Sequence, residues 1–159
     1  MLHELKFGKG KLSVEIEDKN FYGTLLPNEV ETDLTGEDEV KRALENPIGS
    51  KRLRDIIKPG EKIVVITSDI TRPMPSKIVL PSVIAEIKAS CVREEDITIV
   101  LALGSHRGHT EEEKKMLVGE DLYKKNIKII DSDMKRCTNF GTCVNGTPVD
   151  VFEPVAKAD

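Results

Sequence analysis

Leu12, Val14 and Ile16 alternate with Ser13 and Glu15, the period of a strand with one face buried. The turn-forming run Glu17-Asp18-Lys19-Asn20 and the apolar stretch from Phe21 to Leu26 come next. The pattern therefore predicts a β-hairpin over residues 11–26, followed by a linker through Pro27. The period then lengthens. Val40, Ala43 and Leu44 stand at helical spacing behind a cap at Thr35. Asn46-Pro47 ends that helix, because the residue before a proline is pushed out of the α region. Ser50 is expected to cap a second short helix carrying Leu53, Ile56 and Ile57 on one face, stopped by Pro59-Gly60.

Two denser apolar runs follow. Ile63-Val64-Val65-Ile66 and Ile97-Thr98-Ile99-Val100-Leu101-Ala102-Leu103 read as buried strands over 63–67 and 97–103. Between them Val79, Val83, Ile84 and Ile87 share a helical face. Pro81 lacks an N–H and fits best in a first turn, so the regular helix is predicted from Pro81 to Ala89. Thr110 before Glu111-Glu112-Glu113 is an N-cap followed by acids that suit the helix dipole, and that helix should end near Gly119, with a short turn through Leu122 and Tyr123. Ile127-Lys128-Ile129-Ile130 is a third strand candidate, and residues 131–140 are polar and irregular at first. Asn145-Gly146 signals a turn before a strand at Val149-Asp150-Val151. Residues 153–159 read as the start of a helix without a partner strand, as at a cut within a larger protein.

The expected fold is α/β, Rossmann-like, with a mainly parallel central sheet, flanking helices and an N-terminal β-hairpin. One domain over 1–159 is expected, its residues 1–60 (hairpin and two short helices) leading into an α/β core over 61–159. Two parallel strands joined by a crossover helix put the loops that follow them at the same sheet edge, where open α/β sheets bind ligands. Those loops are Ser68-Asp69-Ile70-Thr71-Arg72-Pro73-Met74-Pro75 and Gly104-Ser105-His106-Arg107-Gly108-His109-Thr110.

The first loop offers a guanidinium, Arg72, whose planar fork matches a carboxylate or phosphate, stiffened by Pro73 and Pro75. The competing reading is a surface arginine paired with Asp69. In the second loop His106 can take or give a proton near neutral pH, or serve only as a loop histidine that caps the next helix. His109 sits beside the helix start and is the weaker candidate; Arg107 is either an anion contact or solvent-exposed. The second loop lacks the second glycine of GxGxxG, and no GxxxxGK[ST] is present, so dinucleotide and P-loop readings lose their main support.

A net charge of −4 implies no basic face, which argues against nucleic acid as the main partner. No apolar run approaches a membrane span, and the N-terminus has no signal-peptide apolar core. Tryptophan is absent, so the core must be mostly aliphatic. Cys91, Cys137 and Cys143 form an odd set without CxxC, as expected of reduced cytoplasmic thiols. The Cys137/Cys143 spacing alone is a poor metal signature, because soft-metal sites usually need four such ligands.

Residues 68–76 (Ser-Asp-Ile-Thr-Arg-Pro-Met-Pro-Ser) and 102–110 (Ala-Leu-Gly-Ser-His-Arg-Gly-His-Thr) together resemble the nickel-dependent lactate racemase family. Asn46-Pro47-Ile48-Gly49-Ser50, Gly119-Glu120-Asp121 and Gly146-Thr147-Pro148-Val149 match further stretches of it. The resemblance covers nearly the whole chain and corresponds to the first part of a longer family member. It implies a nickel-pincer nucleotide held between two α/β domains, and racemisation of a 2-hydroxy acid by moving a hydride off and back onto C2. It places Asp69, Ile70, Thr71 and Arg72 on the cofactor- and substrate-binding loop, with Arg72 orienting the substrate carboxylate. His106 would be one of two histidine acid/bases. The other histidine, the lysine tether and the nickel ligand fall in family segments beyond Asp159, so the missing C-terminal part is an expected partner. The isolated chain is expected to be inert and to bind no nickel tightly. The competing readings are an anion- or nucleotide-binding module without turnover and a structural domain.

Overall fold

The first turn of the chain is made by Gly8 and Lys9. Gly8 has a φ of 59° and Lys9 does not share the left-handed region, the pattern of a two-residue hairpin turn with glycine first. It joins strands β1 (Leu2–Phe7) and β2 (Gly10–Glu15), antiparallel from Leu2↔Glu15 to Phe7↔Gly10. An N-terminal hairpin is thus present, but in a different register from the expected one. The Asp18–Asn20 run makes a 3-10 turn instead of a hairpin loop, and Phe21–Leu26 forms no strand. A two-residue loop closes the ladder more tightly than the polar run at 17–20 would, and Phe21 instead stacks near His3, ring centroids 4.2 Å apart. The structure, a computed structural model, describes residues 1–159, and this hairpin belongs to the first of two compact units, Met1–Asp33 and Leu34–Asp159.

The second unit begins with α1 (Gly36–Glu45), preceded by Thr35 at the N-cap, and α2 (Leu53–Ile56). The N-cap of α2 is Arg52, not Ser50. Long-range pairing, not local capping, sets this start: Arg52 and Arg54 clamp the buried Glu86 carboxylate at 2.8 and 2.5 Å. Arg54 first, then Arg52, hold that carboxyl at about 2.

Strands β3 (Ile63–Ser68), β4 (Ile97–Ala102) and β5 (Lys128–Asp131) form a parallel sheet in the order β3-β4-β5. The crossover from β3 to β4 is α3 (Ser76–Ala89), with Pro81 inside it. The expected start at Pro81 is therefore corrected. The buried Ser76 hydroxyl meets Thr67 Oγ1 at 2.7 Å and pins the first turn to β3, while Leu80, Ile84 and Ile87 bury on both sides of the proline. That burial offsets the hydrogen bond Pro81 cannot donate to Lys77.

Helix α4 (Glu111–Val118) and the short α5 (Glu120–Tyr123) lead to β5. Gly119 separates them at φ 86°, a backbone state that suits glycine. Ile97, Ile99 and Leu101 line one face of β4 and pack with Leu80, Ile84, Ile87, Val118 and Leu122, so α3, α4 and α5 cover the same side of the sheet. Beyond β5, β6 (Cys137–Thr142) and β7 (Pro148–Phe152) pair antiparallel around Gly146, and α6 (Glu153–Ala156) follows.

Candidate functional site

Register fixes where the polar loops go. Ser68 pairs with Ala102, and Leu101 with Asp131, so the three parallel strands end side by side. The loop after β3, the loop after β4 and the carboxylate that ends β5 therefore meet at one edge. A cleft of about 260 Å³ opens there, lined by Ser68, Asp69, Arg72 and residues 102–106. A larger cleft of about 600 Å³ lies between α3 and residues 118–125. Its lining mixes lysines and carboxylates with apolar side chains, without a histidine, so the smaller cleft holds the candidate chemistry.

Asp69 is buried at 3% exposure at the base of the first loop. Its Oδ1 accepts from Thr71 Oγ1 at 2.7 Å and from the Thr71 N–H at 3.3 Å, and its Oδ2 meets His106 Nδ1. The Thr71 hydroxyl first, and His106 after it, hold the Asp69 carboxyl below the usual carboxylate range. A carboxylate can only accept, so His106 Nδ1 donates, and the lone pair of the ring lies on Nε2 when the imidazole is neutral. The His106 side chain is 46% exposed, and its Nε2 has no partner within the chain.

The backbone N–H of Arg72 donates to Asp69 O at 3.2 Å, which tightens the loop. The Arg72 guanidinium is exposed and forms no ion pair. Of the two readings left open for this arginine, pairing with Asp69 does not occur, because Thr71 and His106 occupy that carboxylate. Arg107 is engaged: it grips Glu113 at 2.7 and 2.8 Å and Gly108 O at 2.9 Å. With the Thr110 N–H, it holds Glu113 at about 2. Thr110 and Glu113 complete a reciprocal capping box at the start of α4.

His109 points inward. Its Nδ1 meets Asp131 Oδ1 at 2.6 Å, its backbone N–H donates to Asp131 Oδ2 at 2.9 Å, and its Nε2 accepts from the Ile70 N–H at 3.1 Å. Asp131 and Ser132, whose Oγ accepts from the Leu103 N–H at 2.9 Å, support the site and were not singled out from the sequence. The available signal was position: Asp131 directly follows the apolar run of the third parallel strand.

Arg72 and His106 thus present a cation and a proton acceptor at one open cleft, enough to orient an anionic substrate and remove a proton from it. No group of three or more His, Cys, Asp or Glu residues forms a metal-ligand set, and the three cysteines are free and exposed. These residues do not supply a metal's ligand shell. No helix is long and apolar enough to cross a membrane.

The sequence pattern of the lactate racemase N-terminal domain family matches residues 7–159. The chain is 38% identical over 161 aligned positions to the lactate racemase of Thermoanaerobacterium thermosaccharolyticum, covering 98% of this chain and 37% of that protein. It is 29% identical over 160 positions to the lactate racemase of Lactiplantibacillus plantarum, covering 98% of this chain and 38% of that protein. The lactate racemase apoprotein structure from T. thermosaccharolyticum superposes with a TM-score of 0.80, over 100% of this chain and 37% of that one. The chain spans little more than a third of the length of the relatives it matches.

Proposed function

This chain belongs to the lactate racemase N-terminal domain family, and on that premise we propose that its 159 residues are the N-terminal portion of a longer two-domain racemase that interconverts stereoisomers of a 2-hydroxy acid. The observation that carries the reading is the Asp69–His106 pair beside an unpaired Arg72 in one cleft. Arg72 binds the substrate carboxylate through its planar fork. His106 Nε2 takes the proton of the 2-hydroxyl of one stereoisomer as C2 gives up its hydride, and the second acid/base histidine, outside these 159 residues, returns a proton when the hydride comes back to the opposite face. Asp69 holds the ring so that Nε2 faces the cleft and stabilises the imidazolium that forms.

The nickel-pincer nucleotide of the family supplies, when bound, the hydride acceptor that no side chain provides. Asp69, Ile70, Thr71 and Arg72 are the residues of this chain that would contact it. The tether and the nickel ligand belong to the part of the protein that follows, so the isolated 159-residue chain is inert. Three free thiols suit a reducing compartment, and we place the protein in the cytoplasm.

The test is expression of the full-length gene product with its cofactor, beside the 159-residue chain alone. The full-length protein should convert one enantiomer of a 2-hydroxy acid such as lactate to the racemate, and the short chain should not. Full-length protein that binds the acid without turnover would favour an anion-binding module instead.

A further inference from the structure

His109 has no part in the proton transfer proposed above, yet its ring is all but enclosed, 1% exposed. Both ring nitrogens and its backbone N–H are committed. The Ile70 N–H is an obligate donor, so His109 Nε2 must be the bare nitrogen, and the ring proton sits on Nδ1 against Asp131. The partners come from different strand ends: Ile70 follows β3, His109 lies in the loop after β4, and Asp131 ends β5. One imidazole therefore ties all three together. Its grip on the first loop falls between Asp69, which orients His106, and Arg72, the free cation.

We infer that His109 is a positioning residue: by holding the Ile70 N–H it fixes the 69–72 loop against the loop after β4, and so sets the spacing between the Arg72 guanidinium and His106 Nε2. This rests on the reading of the cleft given above. His109 touches no substrate. It works because an imidazole accepts at one end and donates at the other across a rigid ring. Asparagine matches only the Nδ1 end, keeping the donation to Asp131. Glutamine reaches as far as Nε2 and keeps an acceptor for Ile70.

That difference gives the test. Amide hydrogen exchange is read residue by residue in the 159-residue chain with His109→Asn and His109→Gln. The Ile70 amide should exchange about tenfold faster in His109→Asn, the scale of one lost hydrogen bond, and stay close to wild type in His109→Gln. Ile99 and Leu101 should keep their protection in both. Equal exchange at Ile70 in wild type and His109→Asn would overturn the inference, as would a loss shared uniformly with β4. Should neither variant fold, the imidazole nitrogen spectrum of the wild-type chain decides: a proton on His109 Nδ1 supports the brace and a proton on Nε2 overturns it. In the full-length protein His109→Asn should lower kcat on the order of 10- to 100-fold, the cost of a misplaced reacting pair, with partial recovery in His109→Gln. If wild-type full-length protein fails to racemise any 2-hydroxy acid, the racemase reading falls, while the exchange result still decides whether His109 braces the loop.

Discussion

His106 and His109 stand in one loop, and each meets an aspartate through Nδ1: Asp69 for the first, Asp131 for the second. They differ at the other end of the ring. The Nε2 of His109 is capped by a backbone N–H and the side chain is 1% exposed; the Nε2 of His106 is uncapped and the side chain is 46% exposed. The same residue type with the same kind of partner thus has both ring nitrogens committed in one place and one left uncommitted in the other, which is the basis for proposing a brace in the first and a base in the second. A histidine–aspartate pair is by itself no sign of catalysis; what meets the second nitrogen decides. The two arginines nearby repeat the contrast, Arg107 spent on Glu113 and the α4 cap, Arg72 unspent.

Substitutions that separate the members of each pair sharpen the contrast. The largest effect is expected from His106→Ala in the full-length protein, about a 10²- to 10⁴-fold loss of kcat, the usual scale for a general base. The urea midpoint should fall modestly, because the buried Asp69 loses its partner at Oδ2 but keeps the Thr71 hydroxyl at Oδ1. Next comes Arg72→Lys, which keeps the charge but loses the fork, with kcat/KM expected to fall about 10- to 100-fold for the lost charge-assisted bond. Arg107→Lys should leave kcat/KM near wild type. Steady-state kinetics on the three variants breaks the comparison if Arg107→Lys is the more damaging of the two arginine changes.

The smallest effect concerns stability and lies away from the cleft. Burial and two arginines act on Glu86, and the arginines prevail, so its folded value of about 2 lies below the ordinary 4.5. A depressed carboxyl contributes stability that is fully present above its unfolded value and is lost as pH falls through the folded one. The contribution of the clamp should therefore fade from about pH 4.5 down to about pH 2. Glu86→Gln should lower stability at pH 7 by about 1–3 kcal/mol, the cost of buried groups left without full partners. It should also flatten that part of the acid-unfolding curve, measured by urea titration at successive pH values.

Much of this arrangement was legible in the sequence, for physical reasons that differ by region. The strands at 63–68 and 97–102 were legible because each carries a continuous β-branched run, although only the face toward α3, α4 and α5 is covered along β3, whose Ile66 on the other face is 55% exposed. Their register then follows from packing, and with it the meeting of the Arg72 and His106 loops. The hairpin register was not legible, because the alternation at residues 12–16 is genuine but leaves open which neighbour pairs with it. The two-residue turn at Gly8 decided that. The helix start at Ser76 hung on a buried hydroxyl pair with Thr67, and the start of α2 on a carboxylate 32 positions from Arg54. Local propensity carries no trace of either. The role of His109 was hidden for the same reason: its position beside the α4 cap was visible, but its partners Ile70 and Asp131 lie at the ends of other strands.

The most direct test of the contrast between the two histidines is ethoxyformylation of the folded 159-residue chain by diethyl pyrocarbonate, followed residue by residue by mass spectrometry. The reagent needs an accessible nitrogen lone pair. His106 should be modified rapidly and His109 not at all until the chain is unfolded. Modification of His109 as fast as His106 in the folded protein, or a His106 inert to the reagent, would contradict the assignment of one ring as base and the other as brace.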